Sequence, residues 1–240
     1  MTEIAEHTHQ RISLYAYDPT RTTTLRQVFV RDMRRRFREL TRVVRQTVDE
    51  NDAFGLRIGT VSTPFVFQMN PASPGAFAFP RSTDKVNAFM RWFQTQVDTG
   101  MISVVELEQV GAGIEGAWTN KYIQDSYKRG VIRGRYEMQK AGFNVPSIDQ
   151  TGGIEMSMST PFHIDRVGLL YSRTFSELKG ITAQMDQQIS RVLAQGIADG
   201  DNPRLLARKL VSSINGSGMG ELGITAVSYT HLTLPTILLV

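Results

Sequence analysis

The chain has 240 residues, 41% hydrophobic and 21% charged, with a formal net charge of +4 and no cysteine. That length and composition suit one large or two modest globular domains with a sizeable core, and exclude a disulfide framework or a thiolate metal site. The mild basic excess is compatible with a polyanionic partner without requiring one. The first twenty residues lack the basic start and apolar run of a signal peptide, and no window holds the roughly 18 apolar residues of a membrane helix. A soluble protein is therefore expected, with residues 1–17 as an N-terminal arm.

The clearest element begins at "YDPTRTTTLRQVFVRDMRRRFRELTRVVRQTVDEN". Asp18 can cap and Pro19 can take the first helical position, where its missing N–H costs little. Apolar residues then recur at Leu25, Phe29, Met33, Phe37, Leu40, Val44 and Val48, the spacing of one helical face, and the stop falls near Asp49–Asn51. The predicted helix spans 18–50 and carries nine arginines between Arg21 and Arg45. Arg31, Arg34, Arg35, Arg38, Arg42 and Arg45 form a second stripe nearly opposite the apolar one. Two readings fit: a ridge for phosphates or an acidic partner, or the solvated face of an amphipathic helix diluted by Asp32, Glu39 and their neighbours.

Residues 52–81 are rich in Pro, Gly and Phe, and an extended or strand-like excursion is expected near 55–80, its phenylalanines packed under a neighbouring helix. Ser82 reads as the cap of a helix to about Asp98, with Val86, Phe89, Met90, Phe93 and Val97 facing the core and Gly100 as its stop. A short strand or turn is expected over 101–108. Residues 114–141 predict a long helix with Trp118, Tyr122 or Ile123, Tyr127, Val131 and Met138 on its apolar face, Gly130 and Gly134 inside it, and Gly142 as its end. Residues 143–160 read as a polar linker between an N-terminal helical region, 18–142, and a second helical region. The second region is expected to hold helices at 162–178 and 181–198 that meet near Gly180 and Thr182. After them come an Asn202 cap, Pro203 at the first helical position, a helix to about Ile214 and a flexible Gly-rich loop. The fold class is mainly α: long amphipathic helices in an irregular bundle.

Motifs for catalysis are sparse. His7 and His9 fit a frayed terminus better than a metal site, and His163 fits a first-turn helix residue with a satisfied hydrogen bond. Glu106 and Glu108 are two apart, so a helix would not bring them to one face. "GSGMGELG" lacks the Lys-Ser/Thr ending of a phosphate-binding loop, and neither a Gly-x-Ser-x-Gly elbow nor a cysteine nominates a nucleophile. The helical hairpin over 181–214 has too long a turn for a DNA-reading helix–turn–helix. No cofactor, metal or small-molecule substrate is expected, and no enzymatic activity.

Two stretches carry a family resemblance. "WTNKYIQDSYKRGVIRGRYEMQKAG" (Trp118–Gly142) and "RVGLLYSRTFSELKGITAQMDQQISRVLAQGIADGDNPRLLARKLVSSIN" (Arg166–Asn215) resemble tailed-phage minor head proteins, the head morphogenesis family that includes the Mu-type branch. The likeness rests on Trp118, Tyr122, Tyr127 and Gly130, on Gly180 and Thr182, and on Gly196, Gly200, Asn202-Pro203, Leu206-Ala207-Arg208 and Leu210 in that order, over roughly residues 80–223. It implies a non-enzymatic structural protein of the procapsid, made in the host cytoplasm and carried into the virion head. Its implied partners are portal, scaffold or major capsid proteins, with double-stranded DNA as the candidate partner of the arginine stripe. On this reading Trp118, Tyr122, Tyr127, Gly130, Gly180, Thr182, Pro203 and Arg208 serve packing or interaction, and residues 161–223 are an incomplete head-morphogenesis region.

The chain departs from the family after "GELGIT", where no Ala-Arg-Thr-Glu block follows. The last nineteen residues have no Asp, Glu, Lys or Arg, and "AVSYTHLTLPTILLV" resembles translated sequencing-adapter read-through. Residues 224–240 are accordingly expected to be non-native, with the family's C-terminal part lost. The alternatives are a basic helical nucleic-acid-binding protein unrelated to capsids and the non-catalytic front of a larger toxin or enzyme fusion.

Overall fold

The computed structural model describes residues 22–57, 74–102 and 117–218. The chain is mainly helical, with six α-helices and no strand among the described residues. The N-terminal arm, the expected Asp18 cap and Pro19, His7 and His9, most of the expected extended segment near 55–80, Glu106 and Glu108, the Gly-rich loop from residue 219 and the 224–240 tail lie outside them.

Helix α1, Thr23–Arg45, follows its apolar periodicity: Leu25, Phe29, Met33, Phe37, Leu40 and Val44 are all buried, and Val48 continues the face in a π-helical turn, Gln46–Glu50. Each such side chain contributes roughly 1.5–3 kcal/mol when fully removed from water. The helix stops where Asp52 enters the left-handed region at φ 45° and its carboxylate accepts the backbone N–H groups of Leu56 and Arg57. Asp tolerates that conformation better than most residues because its short side chain bonds locally. Of the expected extended segment, residues 74–77 form a turn, and 78–81 lead from it into the next helix with Arg81 extended. Gly75 and Phe77 donate to the Asp52 and Ala53 carbonyls, which ties the turn to the end of α1 and buries Phe77 against Phe54 and Phe89.

Helix α2, Ser82–Val97, buries Phe89, Phe93 and Val97 as predicted, with Val86 and Met90 partly buried beside them. Ser82 is the first helical residue rather than the cap; Arg81 holds that position with extended backbone, and no side chain closes it. Gly100 does not stop the helix cleanly, because it sits inside a π-helical turn, Asp98–Ile102. No strand is present over residues 101 and 102; 103–108 are not described.

Helix α3 runs Asn120–Lys140. Its end is a Schellman closure: Phe143 donates to the Met138 carbonyl and Gly142 to that of Gln139, with Gly142 at φ 88°. Met138, predicted on the apolar face, is exposed because α3 outruns the elements that cover Tyr127 and Val131. Residues 143–160 contain a 3-10 turn, Asp149–Thr151, and the short helix α4, Ile154–Met158, which packs against α3 and α5.

The largest departure is α5. Residues 161–198 form one 38-residue helix, Pro161–Ala198, not two. A glycine inside a helix costs about 1 kcal/mol relative to alanine. That is too little to break the helix at Gly180 when Leu178 and Thr182 on either side are buried. Helix α6, Pro203–Gly218, starts as predicted: Asn202 Oδ1 accepts the Leu205 N–H at 2.9 Å and Pro203 follows the cap. It continues through Asn215–Gly218, where a loop was expected.

The main core gathers the apolar faces of α1, α2, the C-terminal half of α5 and α6, with Tyr122 from the first turn of α3 and Trp118, predicted inside that helix, from the turn before it. A second, smaller core joins Tyr127 and Val131 of α3 to Met158 and Val167 of α4 and α5. Helix α5 runs through both. No helix among the described residues is long and apolar enough to cross a membrane.

Candidate anion-binding face and the motif residues

The six arginines of the predicted stripe, Arg31, Arg34, Arg35, Arg38, Arg42 and Arg45, are all exposed along α1. They stay outside because α1 spends its opposite face on the main core. Arg35 pairs with Asp32 at 3.2 Å. Arg42 grips Glu39 with two nitrogens, at 3.1 and 2.5 Å, and reaches Gln46 at 3.3 Å. That fork lowers the Glu39 carboxyl, chiefly through the hydrogen bond, and raises Arg42. A shallow concavity of about 480 Å³ touches Arg38, Thr41, Arg42, Arg45, Gln46 and Glu50 at the C-terminal end of this face. Arginines on a convex helix surface, with few carboxylates among them, are chemically suited to bind phosphates or carboxylates, and supply no nucleophile or base.

A seventh arginine behaves differently. Arg36 lies beside the apolar face, about 20° from Phe29 on a 100° helical wheel, and turns inward. Its guanidinium lies 4.5 Å from the Trp118 ring centroid, and Nη1 donates to the Gly100 carbonyl at 2.5 Å. Its Nε is buried and has no hydrogen-bond partner among the described residues. Burial lowers the Arg36 pKa, against the opposing pull of Asp32. Trp118 stacks on Phe29 at 5.3 Å and meets Tyr122 edge-on at 5.9 Å. The Tyr122 hydroxyl donates to Asp32, and Lys121 stands 3.7 Å from the same carboxylate. Burial would raise Asp32, but the Tyr122 bond and the charges of Arg35, Lys121 and Arg36 outweigh it and leave the carboxyl lowered. Tyr122 is raised, by burial first and then by Asp32. The inward Arg36 and the neighbouring Asp32, which Tyr122, Lys121 and Arg35 hold, are missing from the predicted set; the helical wheel alone could have flagged Arg36, since its position borders the apolar stripe.

The remaining motif residues do not converge on one site. Tyr127 and Gly130 are buried in α3, and Tyr127 belongs to the second core. The Tyr127 hydroxyl bonds His163 Nδ1 at 2.8 Å, the satisfied histidine expected from sequence. Burial lowers the His163 pKa, with the Arg135 and Arg166 charges adding to it, and burial raises Tyr127. Gly180 is exposed, with open space where a Cβ would sit. Thr182 is buried and donates to the Lys179 carbonyl at 2.9 Å. Pro203 is buried at the start of α6, whereas Arg208 is exposed. Around the α5–α6 turn, Asp201 accepts from Lys209 at 2.6 Å, and its backbone N–H bonds the Gly196 carbonyl at 2.9 Å.

Burial pushes the Asp186 carboxyl up, with the Asp98 charge adding to it. Among the described residues, however, no three carboxylates or histidines come together to hold a metal ion. Comparison with protein families, curated proteins and solved structures gives no match to this chain.

Proposed function

We propose that the protein is a non-enzymatic structural component of a tailed-phage head, of the minor head or head-morphogenesis type. It works by association during procapsid assembly at or near the portal, and passes from the host cytoplasm into the virion head. Portal, scaffold or major capsid proteins are its protein partners. The α1 face contacts packaged double-stranded DNA. The observation that carries the reading is that face: six exposed arginines along one side of a 23-residue helix whose other side is fixed in the core. A rigid, positively charged ridge of this kind matches the phosphate backbone, which is recognised by charge and position rather than by base sequence.

The family motifs support the same reading from a second direction. Trp118 and Tyr122 dock α3 on α1, and Gly196, Asn202 and Leu206 shape the α5–α6 turn. They act as joints of a scaffold, which leaves the outer helix faces for partners.

Charge reversal at Arg34, Arg35 and Arg38 should flatten a salt-dependent binding curve with a short DNA duplex. A wild-type protein with no affinity for that duplex at low salt would sink the DNA part of the reading. The same face also suits a basic nucleic-acid-binding protein outside capsids. Co-purification with a portal protein encoded beside it separates the two, since only the head component should be retained.

A further inference from the structure

The six arginines of α1 fall into two sets. Arg35 and Arg42 are engaged by Asp32 and Glu39, whereas Arg31, Arg34, Arg38 and Arg45 make no ion pair among the described residues, and Arg38 Nε only touches the Arg34 carbonyl of its own helix. At 100° per residue the four unpaired arginines lie within an arc of about 60°, and the two paired ones sit beside them on the edge nearer the acids. Arg31 to Arg45 covers about 21 Å along the axis. B-DNA presents one phosphate per ~3.4 Å of axis on each strand, so a strand running along this edge offers each of the four guanidiniums a phosphate.

We infer that Arg31, Arg34, Arg38 and Arg45 form a phosphate-tracking edge for a nucleic-acid strand, and that Glu39 withholds Arg42 from it as Asp32 withholds Arg35. The inference rests on the phosphate reading of α1 and adds which cations count. An arginine already matched by a carboxylate releases few counterions when a phosphate arrives. If its ion pair opens instead, the freed Glu39 repels the phosphate. Either way Arg42 contributes little while Glu39 is charged.

The test is the salt dependence of binding to a fluorescent duplex of mixed sequence, with folding of each variant checked by circular dichroism. Four contacts give a slope of log K against log salt of about −3.6. Removing two in R34Q/R38Q should bring it to about −1.8, and R34K/R38K should keep the wild-type slope. Glu39→Gln frees Arg42 and should steepen the slope to about −4.5. Glu155→Gln, which removes the same charge from α4, should leave it unchanged. If E39Q matches wild type, or E155Q matches E39Q, the division of the face is wrong while the phosphate reading stands. If R34Q/R38Q does not flatten the slope, or the wild type does not bind at low salt, both fall.

Discussion

Gly196 of α5 and Leu206 of α6 approach so closely that a Cβ on the glycine would stand 2.6 Å from Leu206 Cδ1, and 2.8 Å from Asp201 Oδ2. Leu206 is fully buried, and Asp201 is held by Lys209, so neither neighbour is free to move aside. The helical hairpin of α5 and α6, which pack closely on each other, depends on the missing side chain.

Gly196→Ala should therefore destabilise the protein by about 1–3 kcal/mol, the usual cost of overpacking. Gly180→Ala, in the same helix but with open space around it, should stabilise by about 0.5–1 kcal/mol because alanine is the better helix former. Chemical denaturation of the two variants compares them directly; equal effects would mean that the α5–α6 crossing is not tight.

Asn202→Ala should cost about 1 kcal/mol, since it removes the side-chain acceptor for the Leu205 N–H at the start of α6. Asn202→Asp should restore most of it. Urea midpoints with an unchanged slope would show that the effect is confined to stability.

Tyr122→Phe and Asp32→Asn should each destabilise, and a double-mutant cycle should return a coupling of about 1 kcal/mol or more, because the hydroxyl and the carboxylate are mutual partners. Asp32 is held below its ordinary pKa of 3.8. Its ionised form is favoured in the folded state, so its contribution is present above pH 3.8 and is lost as the pH falls below that value. Tyr122→Phe should reduce the acid sensitivity of the unfolding midpoint in that range.

His163 gives a second pH effect in a milder range. Its folded pKa lies below the ordinary 6.5, so the unfolded chain takes up a proton first as the pH falls. Stability should decline as the pH drops below about 6.5, and level off below the folded pKa. The Tyr127 hydroxyl bonds the ring, Phe162 packs edge-on to it, and the charges of Arg135 and Arg166 add to the effect of burial. In His163→Asn this part of the decline should vanish; an identical decline would assign it elsewhere.

The sequence made the helices legible wherever one face repeats without interruption. All seven apolar positions of the first helix, Leu25 to Val48, are buried, and the Asn202–Pro203 start of α6 is seen as read. Boundaries failed where a local signal was weaker than packing. Gly180 looked like a break, but burial of Leu178 and Thr182 carries α5 through it. Ser82 looked like a cap, but helix geometry already includes it. Met138 kept the right spacing and still emerged, because no described element covers the end of α3.

The sequence by itself determined the mainly α class, the buried faces of α1 and α2 and the exposure of the arginine stripe, since 3.6-residue periodicity separates apolar from charged positions before any tertiary contact forms. Only the tertiary structure set Trp118 and the Gly100 carbonyl against the Arg36 guanidinium. It also brought Asp32 under Tyr122 across 90 residues, and made Gly196 rather than Gly180 the indispensable glycine. These depend on which helices cross and at what distance, and that information is spread over the whole core rather than written in any local spacing.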